Sequence, residues 1–501
     1  MSANLAEQLA LLPERLGSHL QLVLASLAIG IAISLPLAVA ATRIRALQGP
    51  LLAVVSVIQT IPGLALLALM VPLLGMIGFV PALIALILYS MLPVVRNTVT
   101  GIEGVDASMV EAARGIGMTP GQVLLRVQLP LAAPVIIAGV RTATVWVVGI
   151  ATLSTPVGAT SLGNFIFSGL QTQNHVAVLV GCGAAAMLAI VLDLLIRLLE
   201  LAASRRSAGI AALAGAGLLV VLAGGMWPLL AAGGAGGERP RALIGAKTFT
   251  EQYILAELIA GQLEQAGFAA KSLESLGSTV VFDALAAGKI DCYVDYSGTI
   301  WANHMKRDDN PGAALVLQEM TAWLKETHGI HCLGALGFEN AYALAMRGAD
   351  AERLGIVSIA DLARHSASMK IGGDYEFFSR PEWKALEDAY QLEFSREISF
   401  DPTLMYAAVA QGDVDVISAF STDGRIAAFD LAVLADPRVA LPPYDAVLLL
   451  SRDAAANQAL VDALRPLVGA IDDAAMRNAN MMVDVDGKAI GEAAEYLRAG
   501  W

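Results

Sequence analysis

Six long apolar stretches constrain this chain more than any other feature of its sequence. An α-helix needs about 20 mostly apolar residues to cross the hydrocarbon core of a bilayer. Stretches of this kind occupy residues 19–41, 51–71, 74–94, 132–153, 176–199 and 209–231. The sequence therefore predicts an all-α transmembrane domain of six helices, with the lipid bilayer as its first partner.

The distribution of charge divides the chain into two different parts. Residues 1–237 hold ten arginines, seven acidic residues and no lysine, whereas residues 238–501 carry a formal charge of −16. An acidic surface of this size argues against nucleic acid as a partner. We expect a transmembrane domain over 1–206, a sixth helix with a Gly/Ala linker over 207–237, and a soluble domain over 238–501.

The arginines of the first part indicate how the helices are oriented. Eight of the ten follow the first, third and fifth apolar stretches, at Arg43, Arg45, Arg96, Arg114, Arg126, Arg197, Arg205 and Arg206. Short cytoplasmic loops are enriched in arginine and lysine, so these segments are expected in the cytoplasm. The soluble domain, which follows the sixth stretch, is then extracytoplasmic. We expect a multi-pass protein of the inner membrane with its C-terminal domain in the periplasm or extracellular space.

The loop over residues 106–130 has its own pattern of residues. Glu111-Ala112-Ala113 is followed by Gly117 and then by Leu129-Pro130. The pattern predicts a short helix over 107–114, a break at Gly115 and Gly117, and a second helical segment over 119–128. Two short helices at a membrane surface form a protrusion to which another protein can bind. An ordinary amphipathic connector is the alternative interpretation.

This loop resembles the EAA loop of permease subunits of ATP-binding cassette (ABC) importers, in residues and in spacing. Residues 59–63 and 139–143 resemble the glycine betaine/choline/carnitine branch of those permeases, and the resemblance covers most of 18–200. It implies that Glu111, Ala112, Ala113, Gly117, Leu129 and Pro130 couple the chain to a cytoplasmic ATPase.

A separate polypeptide is expected to supply ATP hydrolysis. No G-x-x-x-x-G-K-[ST] phosphate loop occurs in the sequence. We therefore expect a transport protein, not an enzyme, without a cofactor or metal of its own. The ABC resemblance implies two ATPase subunits that bind ATP and Mg, and a homodimer of this permease.

The soluble part alternates short apolar strands with helical patterns, which is typical of an α/β domain with parallel strands. Its 260 or so residues suffice for two lobes. The resemblance to ABC importers implies that these lobes have the fold of a periplasmic binding protein. We expect lobe I over about 240–345 and 446–501, and lobe II over about 346–445. A small-molecule ligand would bind in the cleft between the lobes.

Polar and aromatic motifs follow the predicted strands. They occupy residues 247–252, 295–299, 340–342, 372–380, 419–425 and 442–444. Thr248 and Glu251 have the spacing of a capping box, which predicts a helix start. The ordered set of motifs resembles the binding proteins for glycine betaine, choline and related osmoprotectants over nearly all of 243–498.

The resemblance implies a role for individual residues. Tyr296, Tyr342, Tyr444 and Phe420 would form an aromatic box around a quaternary ammonium, which cannot donate hydrogen bonds and binds ring faces instead. Many relatives have tyrosine where this chain has Phe420. A carboxylate would be held by Lys247, Thr299 and Arg380. The remaining polar neighbours are Gln252, Asn340 and Thr422.

The expected function is therefore the permease and fused substrate-binding component of an ABC importer for quaternary-ammonium osmoprotectants such as glycine betaine, choline or carnitine. One alternative keeps this architecture for another methylated metabolite, such as ergothioneine. A membrane receptor that senses such a ligand is a third possibility. If the soluble domain is periplasmic, Cys292 and Cys332 are able to form a disulfide.

Overall fold

The computed structural model describes residues 3–172, 174–235, 239–307 and 309–500. The chain divides into two compact units. The first contains residues 1–167 and 176–237, and the second contains residues 168–175 and 238–501.

The long elements of the first unit are all α-helices. These helices are α1 (Ala3–Arg43), α2 (Arg45–Thr60), α3 (Gly63–Leu74), α4 (Phe79–Glu103), α5 (Ala107–Gly115), α6 (Pro120–Val123), α7 (Leu129–Ala151), α8 (Gly163–Gln171), α9 (His175–Arg205) and α10 (Ala208–Ala235). Within the described residues, five helices are long and apolar enough to cross a membrane, and six if the bent pair α2–α3 counts as one span.

The second apolar stretch is not the single straight helix expected over 51–71. Helices α2 and α3 meet at an angle of 100°. Ile61 between them is extended, with φ −70° and ψ 127°, because the proline ring of Pro62 disfavours helical geometry in the residue before it. Pro62 also lacks the N–H that would continue the helix. The sequence motif at 59–63 is therefore the site of the break.

Contacts near the end of α1 show which helix ends lie at the same face of the bundle. The Arg43 guanidinium donates to Pro120 O and Gln128 Oε1, both at 3.2 Å, and Gln48 donates to Glu103 at 3.1 Å. Helices α1 and α4 thus end at the same face. Helix α4 then starts at the opposite face, and the chain between α1 and α4 reaches that face through α2 and α3, the bent pair that counts as the sixth candidate span of the described residues. The arginine-bearing end of α1 lies beside the 106–130 loop, as the charge pattern predicted.

The 106–130 loop forms the two predicted helical segments. The Asp106 side chain accepts from Ser108 N at 2.9 Å and caps α5. Gly117 follows α5 with φ +86°, a left-handed conformation that glycine adopts without strain. Thr119 and Gln122 then form a capping box that starts α6. The second segment, expected over 119–128, is not separate from the next membrane helix. It continues from α6 through a π-helical turn at Leu124–Gln128 directly into α7.

The predicted linker is partly helical. The Gly/Ala segment expected over 231–237 continues α10 as far as Ala235, because a run of alanine with isolated glycines is compatible with a helix that has already begun. Residues 236–238, which include the expected domain boundary, lie outside the described residues.

The second unit contains two five-stranded sheets. The strands are β1 (Arg241–Lys247), β2 (Ala269–Leu276), β3 (Cys292–Tyr296), β4 (His331–Glu339), β5 (Tyr342–Arg347), β6 (Lys370–Asp374), β7 (Arg396–Phe400), β8 (Val416–Phe420), β9 (Leu431–Val433) and β10 (Asp445–Leu450). The strand orders are β2-β1-β3-β10-β4 and β7-β6-β8-β5-β9.

Helices pack around these sheets. They are α11 (Thr250–Gln265), α12 (Ser278–Ala286), α13 (Ser297–Thr299), α14 (Ala313–Trp323), α15 (Gly348–Leu354), α16 (Ile359–Leu362), α17 (Pro381–Tyr390), α18 (Pro402–Gln411), α19 (Arg425–Ala428), α20 (Arg452–Ala456), α21 (Gln458–Leu464), α22 (Asp473–Asp484) and α23 (Ile490–Ala499). Helix α11 is the centre of the lobe I core, with Tyr253, Ile254 and Leu258 almost fully buried.

The sheets define two lobes whose first boundary differs from the expected one. Strand β4 ends at Glu339 in the first sheet, and β5 starts at Tyr342 in the second, so the chain crosses at Asn340–Ala341 and not near residue 345. The return crossing lies between Val433 and Asp445. The strands are not all parallel: β5 and β10, which follow the crossings, run antiparallel to their neighbours.

The three cysteines are free. Cys292 lies on β3 and Cys332 on β4, and β10 lies between these strands, pairing with both. Neighbouring strands are about 4.8 Å apart, so the two cysteines are separated by roughly 10 Å. A disulfide requires Cα atoms within about 7 Å, so the proposed Cys292–Cys332 bridge does not form.

Candidate functional site

A cavity of about 300 Å³ opens between the two lobes of the second unit. It lies where β1, β3, β5, β6 and β8 end or begin and where α11 starts. Of the ten predicted ligand-binding residues, nine line it: Lys247, Tyr296, Thr299, Asn340, Tyr342, Arg380, Phe420, Thr422 and Tyr444. The tertiary structure thus gathers residues that are up to 197 positions apart in the chain.

Three of the four predicted box residues form one aromatic cluster. Tyr342 and Phe420 are directly paired on neighbouring strands, and their ring centroids are 4.9 Å apart. The Tyr444 ring meets Tyr342 edge-on at 5.9 Å, and the Tyr444 hydroxyl donates to Glu382. The fourth residue, Tyr296, stacks instead on Phe249 at 6.1 Å, and Phe249 was not predicted as a site residue.

Glu251 is the polar centre of the cavity, and sequence reasoning missed this role. Its Oε1 accepts from the Tyr296 hydroxyl and from Asn340 Nδ2, and its Oε2 accepts from Thr422 Oγ1 at 2.5 Å and Asn480 Nδ2 at 3.0 Å. Burial raises the pKa of Glu251, and these hydrogen bonds oppose the rise. In all four bonds a Glu251 oxygen is the acceptor, as expected for an ionised carboxylate.

The predicted capping box at the start of α11 is therefore wrong. Phe249 occupies the cap position, and no side chain caps the helix. Thr248 Oγ1 donates to Leu276 O at 3.3 Å, while Glu251 faces the cavity. The side chain that a capping box would direct back to the backbone is instead occupied by four donors from elsewhere in the domain.

Two of the cationic side chains in the cavity have acidic partners close by. Lys247 forms an ion pair with buried Asp295, and burial lowers the pKa of Lys247 while Asp295 opposes this. Arg380 NH2 pairs with Glu376 at 2.5 Å, and its NH1 lies 3.7 Å from Glu382. Lys247 was expected to bind an anion of the ligand. In the structure its ammonium group is already paired with the Asp295 carboxylate, which argues against that role.

Gln252 is the predicted site residue that does not line the cavity. It lies behind the wall, where its Nε2 donates to the Tyr296 hydroxyl at 3.0 Å and its Oε1 accepts from Lys247 N at 3.3 Å. It can act on a ligand only by positioning these two residues. Thr299, by contrast, lines the cavity directly from the short helix α13.

Further acidic and amide residues complete the lining. Asp374, Asp423, Asn480 and Asp484 lie on it, and the Arg425 guanidinium donates two hydrogen bonds to Asp423, at 2.9 and 2.5 Å. Burial raises the pKa of Asp484 to about 7; Arg425 opposes this, and Asp423 adds to it. Asn480 and Asp484 are four residues apart on α22 and so share a face. The sequence analysis did not identify these two residues, and this spacing is the signal that could have paired them.

The 106–130 loop is a second candidate site, in the first unit. Glu111 and Ala112 are exposed, whereas Ala113 is buried and anchors α5. The apolar side chains of Met109, Ile116 and Leu125 are also exposed, Ile116 by 76%. Leu129 and Pro130 form the start of α7.

Comparison with known proteins identifies both parts of the chain. Residues 243–499 match the substrate binding domain of ABC-type glycine betaine transport systems, and residues 30–205 match the inner membrane component of binding-protein-dependent transport systems. The chain belongs to the ABC transport family. In this transporter the permease and the substrate-binding domain are fused in one polypeptide.

Three relatives match the whole chain or one of its two parts. The transporter is 30% identical to the ergothioneine transport permease/ergothioneine binding protein EgtU of Helicobacter pylori (strain G27), over 87% of this chain and 80% of the relative. It is 43% identical to the choline transport system permease protein OpuBB of Bacillus subtilis (strain 168), over 36% of this chain and 83% of the relative. It is 34% identical to a glycine-betaine-binding protein of Pseudomonas aeruginosa, over 54% and 90%.

The family establishes the general role of the transporter. It is a multi-pass membrane protein with a transport function, and permeases of ABC importers work together with an ATPase. The expected helical permease followed by a two-lobed binding domain is confirmed.

Proposed function

We propose that this transporter imports a quaternary-ammonium compound, with glycine betaine, choline and carnitine as the primary candidates. The observation that carries the proposal is the juxtaposition of the Tyr342, Phe420 and Tyr444 rings with the carboxylate of Glu251 in one interlobe cavity. Ring faces attract a methylated ammonium through cation–π contacts of about 0.5–2 kcal/mol each. The names of the relatives point to the same ligand class.

The charge of the cavity supports a cationic ligand. Lys247 and Arg380 already face carboxylates, whereas the four hydrogen bonds to Glu251 come from uncharged donors. Asp374 and Asp484 add further acidic groups to the wall. A bound cation would offset this excess negative charge. Because the cavity is shielded from water, the attraction between the cation and the carboxylates is stronger there than on the protein surface.

A carboxylate on the ligand would bind at Arg380. Among the described residues Arg380 Nε has no hydrogen-bond partner although it is buried, and the Glu376 side chain, which pairs with Arg380 NH2, is 66% exposed. The carboxylate of a betaine would displace Glu376 and make two parallel bonds to the guanidinium. Thr299 is the neighbouring hydroxyl on the cavity wall. Choline, which has no carboxylate, would leave the Arg380–Glu376 pair intact.

The proposed assembly contains two copies of the transporter and two subunits of a separate ATPase, which bind ATP and Mg. The 106–130 loop would dock into a groove on the ATPase, with exposed Met109, Ile116 and Leu125 as its apolar contacts. This places the loop in the cytoplasm and the binding domain in the periplasm or extracellular space. ATP binding and hydrolysis would alternate the access of the pore, while the binding domain delivers the ligand.

Ergothioneine, a trimethylated histidine derivative, is the second candidate ligand. It is favoured by the H. pylori relative, which matches the fused chain over 87% of its length rather than over one domain. Ergothioneine shares the quaternary ammonium and the carboxylate, so the aromatic cluster and Arg380 would serve it in the same way.

A titration of the purified full-length transporter would test the proposal. Glycine betaine, choline, carnitine, proline betaine and ergothioneine are titrated separately by calorimetry. At least one is expected to bind, and the same compound should be taken up by vesicles in an ATP-dependent manner when the partner ATPase is present. Binding of none of the five would contradict the proposed ligand class.

A further inference from the structure

Glu382 is a buried carboxylate that stands behind the wall of the cavity and is not part of its lining. It lies in the first turn of α17 in lobe II and is 1% exposed. Its Oε1 accepts a hydrogen bond from the Tyr444 hydroxyl, whereas its Oε2 has no hydrogen-bond partner among the described residues. The first turn of a helix favours negative charge. Glu382 therefore places a negative charge behind the wall that one hydrogen bond only partly offsets.

The charge of Glu382 reaches the cavity through residues that do line it. Arg380 NH1 lies 3.7 Å from Glu382 Oε1, and the Arg380 guanidinium lies 5.6 Å from the centre of the Tyr342 ring. Tyr444 contacts Glu382 with its hydroxyl and Tyr342 with its ring. Arg380, Tyr342 and Tyr444 all line the cavity. Glu382 thus lies next to both the proposed ammonium site and the proposed carboxylate site.

Glu376 is the other acidic partner of Arg380, and it differs from Glu382 in exposure. The Glu376 side chain is 66% exposed and the Glu382 side chain 1%. Water and salt screen an exposed charge, whereas a buried charge is screened much less. A carboxylate on the ligand can displace the exposed Glu376, but it leaves the buried Glu382 in place. Glu382 is therefore the counter-charge of Arg380 that remains when a ligand is bound.

The influence of Glu382 on the aromatic cluster is visible in the acidity of Tyr444. Burial raises the pKa of the Tyr444 hydroxyl, and the charge of Glu382 and its hydrogen bond add to the rise, whereas Arg380 opposes it. A charge that disfavours a negative group at this ring favours a positive group near it, because the same Coulomb interaction acts with the opposite sign.

We propose that Glu382 is a specificity-determining residue, which acts through Arg380 and Tyr444 and favours ligands without a carboxylate over ligands that carry one. This inference rests on the function proposed above. The buried charge attracts the methylated ammonium at the aromatic cluster and repels a carboxylate at Arg380. For choline only the attraction counts. For glycine betaine the attraction and the repulsion oppose each other, so its affinity depends less on Glu382.

The variant Glu382→Gln tests this role. It removes the charge, keeps the shape of the side chain and retains an oxygen that can accept from Tyr444. Choline and glycine betaine are titrated separately by calorimetry against the full-length transporter in lipid nanodiscs. A charge within about 4–6 Å shifts a proton-binding equilibrium by about tenfold or more, so choline should bind about tenfold more weakly and glycine betaine should change much less. Unchanged choline affinity, or equal weakening of both ligands, would overturn the proposal.

Two further variants separate the charge of Glu382 from a structural role. Glu387→Gln makes the same chemical change further along α17, outside the cavity lining, and should keep both affinities. Arg380→Met leaves Glu382 without its cationic neighbour, so choline should bind more tightly than to the unmodified transporter. If Glu382→Gln does not fold, unchanged or weaker binding of choline to Arg380→Met contradicts the role of Glu382.

Failure of this inference can be told apart from failure of the proposed function. If a ligand with a carboxylate binds the unmodified transporter and choline does not, the role of Glu382 is refuted and the quaternary-ammonium function stands. The same holds if both bind and Glu382→Gln leaves their ratio unchanged. If choline alone binds, its weakening in Glu382→Gln decides. If none of the five compounds named above binds, the proposed function fails and the role of Glu382 fails with it.

Discussion

Thr422 Oγ1 lies 2.5 Å from Glu251 Oε2, and this hydrogen bond joins the two lobes of the binding domain. Thr422 follows β8 in lobe II, whereas Glu251 lies in the first turn of α11 in lobe I. Asn480 of lobe I donates to Thr422 O at 2.9 Å and strengthens the same link. The buried carboxylate is thus stabilised by donors from both lobes, so lobe closure and the charge in the cavity depend on each other.

Replacing Thr422 by valine should weaken ligand binding. The variant keeps the shape of the side chain but removes a hydrogen bond to a charged group, worth about 1.5–3 kcal/mol. We expect the dissociation constant to rise by roughly tenfold to hundredfold in a calorimetric titration of the full-length transporter. Thr321→Val, on α14 outside the cavity lining, is the matched control. An unchanged affinity in Thr422→Val would show that the interlobe bond does not contribute.

Tyr342 should be the most sensitive position of the aromatic cluster. Tyr342→Ala removes the ring that contacts both Phe420 and Tyr444, and we expect at least about tenfold weaker binding of a methylated cation, or roughly 1.4 kcal/mol. Tyr342→Phe keeps the ring and loses only the hydroxyl bond to Asp374 at 3.1 Å. Because Tyr342 and Asp374 both lie in lobe II, this bond does not join the lobes, and the affinity should fall less than in Tyr342→Ala. If both variants bind equally well, the ring face is not a ligand contact.

Tyr296 tests a different part of the cavity. Its ring stacks on Phe249, and its hydroxyl donates to Glu251. Tyr296→Ala should therefore weaken binding by about tenfold, through the loss of a ring face and of a donor to the buried carboxylate. Tyr296→Phe separates these effects, because it removes only the donor. Full affinity in Tyr296→Ala would exclude this residue from the site.

Ligand affinity should depend on pH through Asp484. Burial raises the pKa of Asp484 to about 7; the neighbouring charges are Arg425, which opposes the rise, and Asp423 and Glu251, which add to it. A cationic ligand favours the ionised carboxylate, so affinity should increase as the pH rises from about 6 to 8. Asp484→Asn should flatten this dependence in titrations at pH 6, 7 and 8. The same slope in the variant would assign it to another group.

The same pKa has a consequence for stability, with the opposite sign. The pKa of Asp484 in the folded protein lies above its ordinary value of 3.8, so the folded state binds more protons between these values. Without ligand, this group makes the free energy of unfolding fall as the pH rises from about 4 to 7, with no further change above that range. Tryptophan fluorescence during denaturation should show a smaller fall over this range in Asp484→Asn.

Gly117 should be required for coupling and not for binding. Its φ of +86° lies in the left-handed region, where a side chain costs roughly 1–2 kcal/mol. Gly117→Ala should distort the loop between α5 and α6, so ligand-stimulated ATP hydrolysis by the assembled transporter should fall while ligand affinity stays the same. Gly121→Ala in the same loop is the control, because a side chain there meets open space. Equal hydrolysis rates in the two variants would contradict a coupling role for the Gly117 turn.

Much of the architecture could be predicted from local patterns in the sequence. Apolar length predicted the membrane helices, and the alternation of strand and helix patterns predicted the α/β domain, because these signals act on each segment independently of the rest. The loop segments expected over 107–114 and 119–128 form for the same reason, at Ala107–Gly115 and from Pro120 onward, because caps and glycines act within a few residues. The nine cavity residues were named through the resemblance to osmoprotectant-binding proteins, on polar and aromatic motifs in the predicted α/β domain.

The tertiary structure alone decided what those residues contact. Glu251 and Asn480 are 229 residues apart, and no local pattern predicts that one donates to the other. A side chain with capping-box spacing became the centre of a cavity because four donors from distant elements outweigh one local backbone bond. Likewise, the acidic partners of Lys247 and Arg380 became visible only once packing had placed buried charges together, since a charge removed from water must find its partner wherever the fold supplies one.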